Sequence, residues 1–149
     1  MTDYPAPGGS TADPADITWL VERFVSEVPG ITHAVVVSLD GLQLAAAGAV
    51  DRDLADQLSA LTAGLLSIAG QYGFRLQLGE AENLTIRFPH GHLAFMRIGQ
   101  SAGLCVAARP GTDMRTLAFQ MTRFVASVGH ALTPQLRSRL HPMSINAEV

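Results

Sequence analysis

Apolar side chains recur every three or four residues near the start of the chain, which is the pattern of an amphipathic helix. These positions are Ile17, Leu20, Val21, Phe24 and Val28. Asp13 belongs to the residue types that cap helix N-termini, and Pro14 suits the first helical position. Because Pro29 and Gly30 interrupt the spacing, the sequence predicts one helix between Asp13 and Val28.

Runs of β-branched and apolar residues predict five strands in two groups. Residues 35–39 lead to Asp40-Gly41, a strong hairpin signal, and residues 42–47 form the return strand. Three further strands are predicted at 80–88, 92–98 and 103–109. A helix from about residue 51 to residue 73 separates the groups, and a last helix runs from Thr112 or Asp113 to Pro134.

The order of elements is helix, two strands, helix, three strands, helix. Hairpin-length links inside each strand group favour an antiparallel sheet, so the fold class is α/β of the α+β kind, with helices on both sheet faces. The 149 residues suit one domain, predicted at 13–134. Residues 1–12 are expected to form a flexible leader and residues 135–149 a flexible tail.

The middle helix carries two apolar stripes. The larger comprises Leu54, Leu58, Leu61, Leu65, Ile68 and Tyr72, and the smaller comprises Ala60, Ala63, Ser67, Gly70 and Phe74. The two stripes lie more than 100° apart on the helix, and no charge occurs from residue 57 to residue 74. One sheet face does not suffice to cover both stripes, so this helix is expected to be buried on more than one side.

Glycines within this helix indicate which stripe meets a partner. Gly64, Gly70 and Gly73 each cost roughly 0.8–1 kcal/mol relative to alanine. A close approach to another helix would offset that cost, whereas a frayed end or a C-cap would explain Gly70 and Gly73 without a partner. We therefore predict a dimer interface on the smaller stripe. Its predicted members are Ala60, Ala63, Gly64, Ser67, Gly70 and Phe74.

Composition excludes several functions. All ten basic residues are arginine, so the chain has no lysine for a Walker A loop, a Schiff base or a kinase site. The net charge of −3 argues against nucleic acid or anionic membranes as the main partner. A single cysteine, Cys105, permits no internal disulfide. With no targeting or membrane segment recognised, the chain is expected to be cytoplasmic.

Three features resemble catalytic or metal sites. Residues 99–103 match the G-x-S-x-G pattern around Ser101, but a strand is predicted after it where a hydrolase needs a helix. His90 and His92 lack a nearby cysteine or acidic cluster to complete a metal site. Cys105 lies in an apolar strand, which favours a buried, inert thiol. The sequence therefore predicts no enzyme activity, no cofactor and no metal.

Several segments resemble the roadblock/dynein light chain superfamily. They are Val28-Pro29-Gly30-Ile31, the strand at 34–39, Asp40-Gly41-Leu42 and Ala45-Ala46-Ala47. The middle helix, late strands and final helix follow that family's order, so the resemblance spans about residues 14–132. It is nearest to the bacterial branch, whose gliding-motility member partners a small Ras-like GTPase.

The resemblance implies a roadblock-like α-β-β-α-β-β-β-α fold, with the middle helix on one sheet face and the terminal helices on the other. It also implies a homodimer in which the third strands join two sheets and the middle helices lie together. Such proteins regulate or scaffold a small Ras-like GTPase, and some accompany a histidine-kinase-like membrane protein that could recruit them to the membrane. At the margin of the dimer face, Arg52, Asp53 and Asp56 are expected to steer that partner.

Two other functions compete with this interpretation. A PAS- or GAF-like sensor also has a five-stranded antiparallel sheet, but it needs an internal pocket lined by a few polar groups. An esterase-like hydrolase would depend on Ser101 alone. The apolar strands favour a filled interior, so a non-enzymatic interaction module is the preferred hypothesis.

Overall fold

The computed structural model describes residues 14–131, and its elements follow the predicted order. They are α1 (Pro14–Glu27), β1 (Ile31–Ser38), β2 (Gln43–Gly48), α2 (Arg52–Arg75), β3 (Asn83–Phe88), β4 (Gly91–Ile98), β5 (Ala102–Ala108) and α3 (Met114–Ala131). Pro14 is the first residue of α1, as predicted. The Asp13 cap, the leader, the tail and the predicted helix end at Pro134 lie outside the described residues.

Aspartate side chains accept hydrogen bonds from backbone N–H groups at the N-termini of α2 and α3. The Asp51 carboxylate accepts the Leu54 backbone N–H at 2.8 Å, which satisfies one of the free donors of the first turn of α2. At α3 the Asp113 carboxylate accepts backbone N–H groups of Arg115 and Thr116, together with the Thr116 hydroxyl. Hydrogen bonding from Thr116 holds the pKa of Asp113 below its ordinary value.

All five strands pair antiparallel in the order β2-β1-β5-β4-β3. The central pair, β1 and β5, is almost wholly buried, because helices cover both of its faces. This explains the uninterrupted apolar run through Val35, Val36 and Val37. β2 and β3 form the two edges of the sheet.

The sheet separates two apolar clusters of unequal size. On one face α1 and α3 bury twenty residues, and the rings of Phe24 and Phe124 meet with centroids 4.6 Å apart. On the other face α2 forms a cluster of only three buried residues, Leu66, Phe95 and Cys105. α2 approaches the sheet closely here, since a Cβ at Gly103 would lie 2.6 Å from Leu66 Cδ1.

α2 covers only part of its sheet face. Its main contacts are with β1, β5 and β2, and within the described residues β3 has no helix packed closely over it. The side chains of β3 alternate between exposed and half-buried, in contrast to the buried central strands. This uncovered part of the sheet determines the position of the site described next.

Candidate protein-interaction surface

Small residues of α2, and not its large apolar stripe, face the sheet. The buried positions are Ala55, Ser59, Thr62, Ala63, Leu66 and Gly73. The Ser59 hydroxyl is satisfied by donating to the Ala55 carbonyl oxygen at 2.7 Å. Small side chains suit this position because α2 lies so close to the strands.

This arrangement buries one member of the predicted dimer interface inside the subunit. Ala63 is buried against its own sheet, beside the β1–β2 turn, where a Cβ at Gly41 would lie 4.0 Å from Ala63 Cβ. It packs within the subunit and presents almost no surface to a partner. The sequence could not assign it, because an alanine fits a close sheet contact as well as a helix crossing.

The large stripe of α2 is the one left without cover inside the subunit. Leu61 is 68% exposed, Ile68 58% and Tyr72 66%, whereas Leu58 and Leu65 are half-buried. At 100° per residue these side chains project from a flank of α2 well away from its buried face. The size of the stripe was visible in the sequence, but its exposure depends on how far α2 covers the sheet.

The exposed flank of α2 continues onto the uncovered strands. Leu84 and Ile86 of β3 and Leu93 of β4 are half-buried, and together with Leu65 they pack around the Leu66–Phe95–Cys105 cluster. We call this continuous apolar area the leucine surface. It consists of Leu58, Leu61, Leu65, Ile68, Tyr72, Leu84, Ile86 and Leu93.

An open strand edge borders the leucine surface. β3 pairs with β4 along one side only, so within the described residues the backbone groups on its other side have no strand partner. Such an edge is a template for pairing with another chain. The apolar area and the free edge therefore belong to one site, which combines side-chain burial with backbone pairing.

The rest of the predicted dimer interface lies on another part of α2. Ala60, Gly64 and Ser67 are exposed, Gly70 is half-buried and Phe74 is 81% exposed. A Cβ added at Gly64 or Gly70 would meet no atom within 4 Å in the described chain. No contact within the described subunit therefore requires these two glycines.

The fold at the end of α2 explains why position 73 is a glycine. A Cβ there would overlap the Gly79 carbonyl oxygen, because the chain folds back against the last turn of the helix. The Leu78 N–H donates to the Gly73 carbonyl oxygen at 2.8 Å, and Gln77 has a φ of +59°. Gly73 therefore lies in the last turn of α2, three residues before the C-cap residue Leu76, and the close approach of Gly79 explains it without a partner.

The predicted charged margin lies at the start of α2. Arg52, Asp53 and Asp56 are all exposed, and within the described residues none of them forms an ion pair. They are therefore available to a partner.

The residues that resembled catalytic groups are not assembled into a site. Ser101 lies in the turn before β5, so a strand follows it and the hydrolase geometry is not met. Burial raises the pKa of the Cys105 thiol to about 11, although a hydrogen bond with Thr62 opposes the shift. A thiol held in its protonated form is a poor nucleophile.

His90 and His92 remain separate from acidic or sulfur ligands. His90 is exposed in the β3–β4 turn and His92 is half-buried on β4. Among the described residues, no three His, Cys, Asp or Glu side chains are grouped so as to hold a metal ion. In the same part of the chain, no helix is long and apolar enough to cross a membrane.

Comparison with known proteins places this architecture in a family. The family model for the Roadblock/LC7 domain matches residues 17–108. A Roadblock/LC7 domain from Streptomyces avermitilis is 32% identical, with a TM-score of 0.71, over 74% of this chain and 92% of that chain. No curated protein sequence matches the chain.

More distant structures share the fold. MglB from Myxococcus xanthus is 17% identical over 76% of this chain and 92% of its own, with a TM-score of 0.72. The gliding protein MglB from Thermus thermophilus is 16% identical over 82% of this chain and 91% of its own, with a TM-score of 0.69. On the family model and the Streptomyces relative, this chain belongs to the Roadblock/LC7 domain family.

Proposed function

We propose that this chain is a non-enzymatic regulator or scaffold that acts as a homodimer and binds a small Ras-like GTPase in bacterial signalling. Membership of the Roadblock/LC7 family supports a regulatory or adaptor role in general. The MglB-like fold supports the bacterial branch of that family. The leucine surface is the observation that carries the proposal, since the described chain leaves it uncovered beside a free strand edge.

A second copy of the chain suits the leucine surface. In a two-fold dimer, β3 would pair with the partner's β3, and the two α2 helices would cover the uncovered halves of the joined sheet. Each large apolar side chain that becomes fully buried contributes about 1.5–3 kcal/mol. Burial of Leu61, Ile68 and Tyr72 on both subunits would offset an association cost on the order of 4–15 kcal/mol.

The sensor alternative is less well supported. A cavity of about 130 Å³ lies between α3 and strands β3 and β4, and its lining includes Met96, Met114 and Met121. Ligand sites usually measure on the order of 300–1,000 Å³. The larger hollows of the described chain, about 370 to 1000 Å³ in volume, are open clefts at the surface and not enclosed pockets.

Binding to the GTPase should depend on its nucleotide. The γ-phosphate orders the switch loops of such GTPases, and a regulator that contacts those loops distinguishes the two states by about 1–3 kcal/mol. The test is calorimetric titration of a small Ras-like GTPase encoded beside this chain's gene, loaded with a GTP analogue or with GDP. Equal affinity for the two nucleotide states would mean that the chain is a scaffold that does not distinguish them. Absence of binding in both states would refute the GTPase as a partner.

The charged margin offers a matched test of the same contact. Arg52→Glu is expected to change the association rate more than the final affinity, because exposed charges at an interface rim act mainly on the encounter. Stopped-flow association at two ionic strengths measures this effect. Arg115→Glu, on the opposite sheet face, serves as the control. If the two variants changed the association rate equally, Arg52 would not belong to the contact with the GTPase.

We further infer that the protein acts in the cytoplasm and reaches the membrane only through partners, such as a histidine-kinase-like membrane protein. The proposed GTPase partner supports this location. Fractionation of cells that express the tagged full chain, with and without the membrane protein, tests it. Membrane association that persists without that protein would contradict the inference.

A further inference from the structure

A cleft lies between the last turns of α2 and the segment that leads into β3, at the end of the sheet where β4 finishes. It measures about 1000 Å³, and its lining includes Gly70, Gly73 and Phe74 of α2 together with Ala81 and Arg97. Two of these three α2 residues are glycines, so no side chain enters the cleft from their positions. A Cβ at Gly70 would meet no atom within 4 Å. The cleft is therefore open along this side of α2.

Three large apolar side chains are exposed beside this cleft. Phe74, which lines it, is 81% exposed, Leu76 is 63% exposed and Leu78 is 74% exposed. Leu76 and Leu78 alternate along the chain with residues 75, 77 and 79, which also line the cleft. We call Phe74, Leu76 and Leu78 the corner cluster. An exposed apolar cluster of this kind marks an interaction site.

The proposed dimer would leave the corner cluster uncovered. Residues two apart in a helix are separated by about 200°, so Phe74 projects from α2 on nearly the opposite side from Tyr72 of the leucine surface. A second copy that covers the leucine surface would therefore contact the other flank of the helix. The corner cluster needs a different occupant.

α3 leads the chain to the same end of the sheet from the opposite face. It begins next to Gly30 and Arg109, whose backbone groups are hydrogen-bonded to each other at the other end of the sheet. Its residues Thr122 and Val125 line a second cleft, and Glu80 and Arg97 line both clefts. From Val125 the helix continues to residue 131, about 9 Å further at 1.5 Å per residue. The chain therefore leaves α3 close to the corner cluster.

We infer that residues 132–149, which follow α3 and lie outside the described structure, fold over the end of the sheet and dock in this cleft of their own subunit. These eighteen residues could span up to about 60 Å if extended, which exceeds the width of a small domain. The tether also supplies an effective concentration on the order of millimolar. Burial of a few apolar side chains is then sufficient for docking.

The sequence of this segment suits the cleft. Thr133 is a helix-capping residue type, Pro134 suits a first helical position, and Pro142 would end the helix. A two-turn helix over residues 134–141 would place Leu136 and Leu140 on one face, because they are four residues apart. That apolar face fits against the corner cluster. The inference replaces the flexible tail expected from composition with a docked segment.

Charge at the rim of the cleft favours the same segment. Glu80 and Glu82 are exposed just before β3. Glu80 lies 3.6 Å from the Arg97 Nε, and within the described residues Glu82 forms no ion pair. The docking segment carries Arg137 and Arg139 outside its leucine face. These arginines would meet the two carboxylates, and Arg75 on the α2 side of the cleft would oppose the reverse orientation.

A tryptophan placed in the cleft reports on the docked segment. Trp19 is the only tryptophan of the chain, so the full chain with Trp19→Phe and Phe74→Trp emits from the cleft alone. We expect emission at the short wavelength of an apolar environment. Adding Leu136→Asp and Leu140→Asp should shift the emission to longer wavelength, because the segment would leave the introduced tryptophan exposed to water.

The matched control adds Gln135→Asp and Ser138→Asp to the same reporter protein. These substitutions introduce the same two charges on the other faces of the segment, so the short-wavelength emission should remain. Both pairs lie outside the folded residues 14–131, and circular dichroism verifies that the domain is intact. The emission of the reporter protein should also stay constant on dilution from tens of micromolar to tens of nanomolar, because docking within one subunit is independent of concentration.

Three outcomes would overturn the inference. One is emission of the reporter protein at the wavelength of a fully solvated tryptophan, and another is an equal shift, or no shift, in the leucine variant and its control. The third is a shift to longer wavelength on dilution, since a second copy of the chain would then cover the cleft. None of these results depends on the GTPase or on the leucine surface, so the proposed function stands or fails separately.

Discussion

At the residue scale, the close approach of Gly73 and Gly79 determines how α2 ends. Alanine normally stabilises a helix relative to glycine by about 1 kcal/mol. Gly73→Ala is expected to do the reverse, and to lower the free energy of unfolding by about 2–3 kcal/mol, because its Cβ would overlap the Gly79 carbonyl oxygen. Urea unfolding followed by circular dichroism measures the change.

Gly129→Ala is the matched control for this prediction. Gly129 lies in α3, and a Cβ there would meet no atom within 4 Å. The substitution should be neutral or stabilising by less than about 1 kcal/mol. Equal stability of the two variants would show that the α2 end relaxes freely around Gly73.

Cys105 makes stability depend on pH in the alkaline range. Burial raises the pKa of its thiol from 9.0 to about 11, so the folded state holds the proton more tightly than the unfolded state does. The stabilisation is complete below pH 9.0 and is lost as pH rises to about 11. The loss amounts to roughly 2–3 kcal/mol. Unfolding by urea at several pH values in this range measures it.

The control is Cys105→Ala, compared by the slope of stability against pH and not by absolute stability. The variant should lose less stability between pH 9.0 and pH 11 than the parent does, since it has no thiol to titrate. All other residues are the same in both proteins, so the difference between the two slopes isolates the thiol. If stability fell equally with pH in both proteins, the Cys105 thiol would be more accessible to solvent than its position under α2 indicates.

Much at this scale followed from residue chemistry alone. The turn at Ser101 and the burial of Cys105 were predicted, because each depends on neighbours close in sequence or on strand composition. The burial of Ala63 inside the subunit could not be predicted, since it depends on the β1–β2 turn more than twenty residues away.

At the element scale, the start of α2 depends on one carboxylate. Asp51→Ala removes the acceptor for the Leu54 N–H and should lower the free energy of unfolding by about 1 kcal/mol. Asp56→Ala, at an exposed position inside the same helix, removes an equal charge without removing a cap. Thermal and urea unfolding of both variants compares them. Equal losses would attribute the effect to charge and not to capping.

The position of α2 on the sheet determines which of its faces is buried inside the subunit. Periodicity identifies apolar faces, but it assumes that the largest one is buried inside the subunit. Here α2 lies close to Gly103, so the face toward the sheet accepts only small side chains apart from Leu66. The signal for this face was the helical spacing of Ala55, Ser59, Thr62 and Leu66. Its polar members made it resemble a solvent-exposed side.

At the scale of the whole molecule, element order and sheet class followed from the sequence. Hairpin-length links indicated the antiparallel pairing, whereas the order of the strands in the sheet was not predicted. The extent of sheet left uncovered by α2 could not be predicted, because it depends on the width of a five-stranded sheet relative to one helix. That mismatch produces the leucine surface, and so the proposed dimer.

Self-association through the leucine surface is the central claim of this account, and sedimentation velocity tests it most directly. The parent is expected to be a dimer at tens of micromolar. Leu61→Glu should be a monomer, because an unpaired charge buried in an interface typically costs several kcal/mol, against about 8 kcal/mol for a micromolar dimer. Ser67→Glu, exposed on the other flank of α2, should remain a dimer. A monomeric parent, or a monomeric Ser67→Glu beside a dimeric Leu61→Glu, would contradict the account.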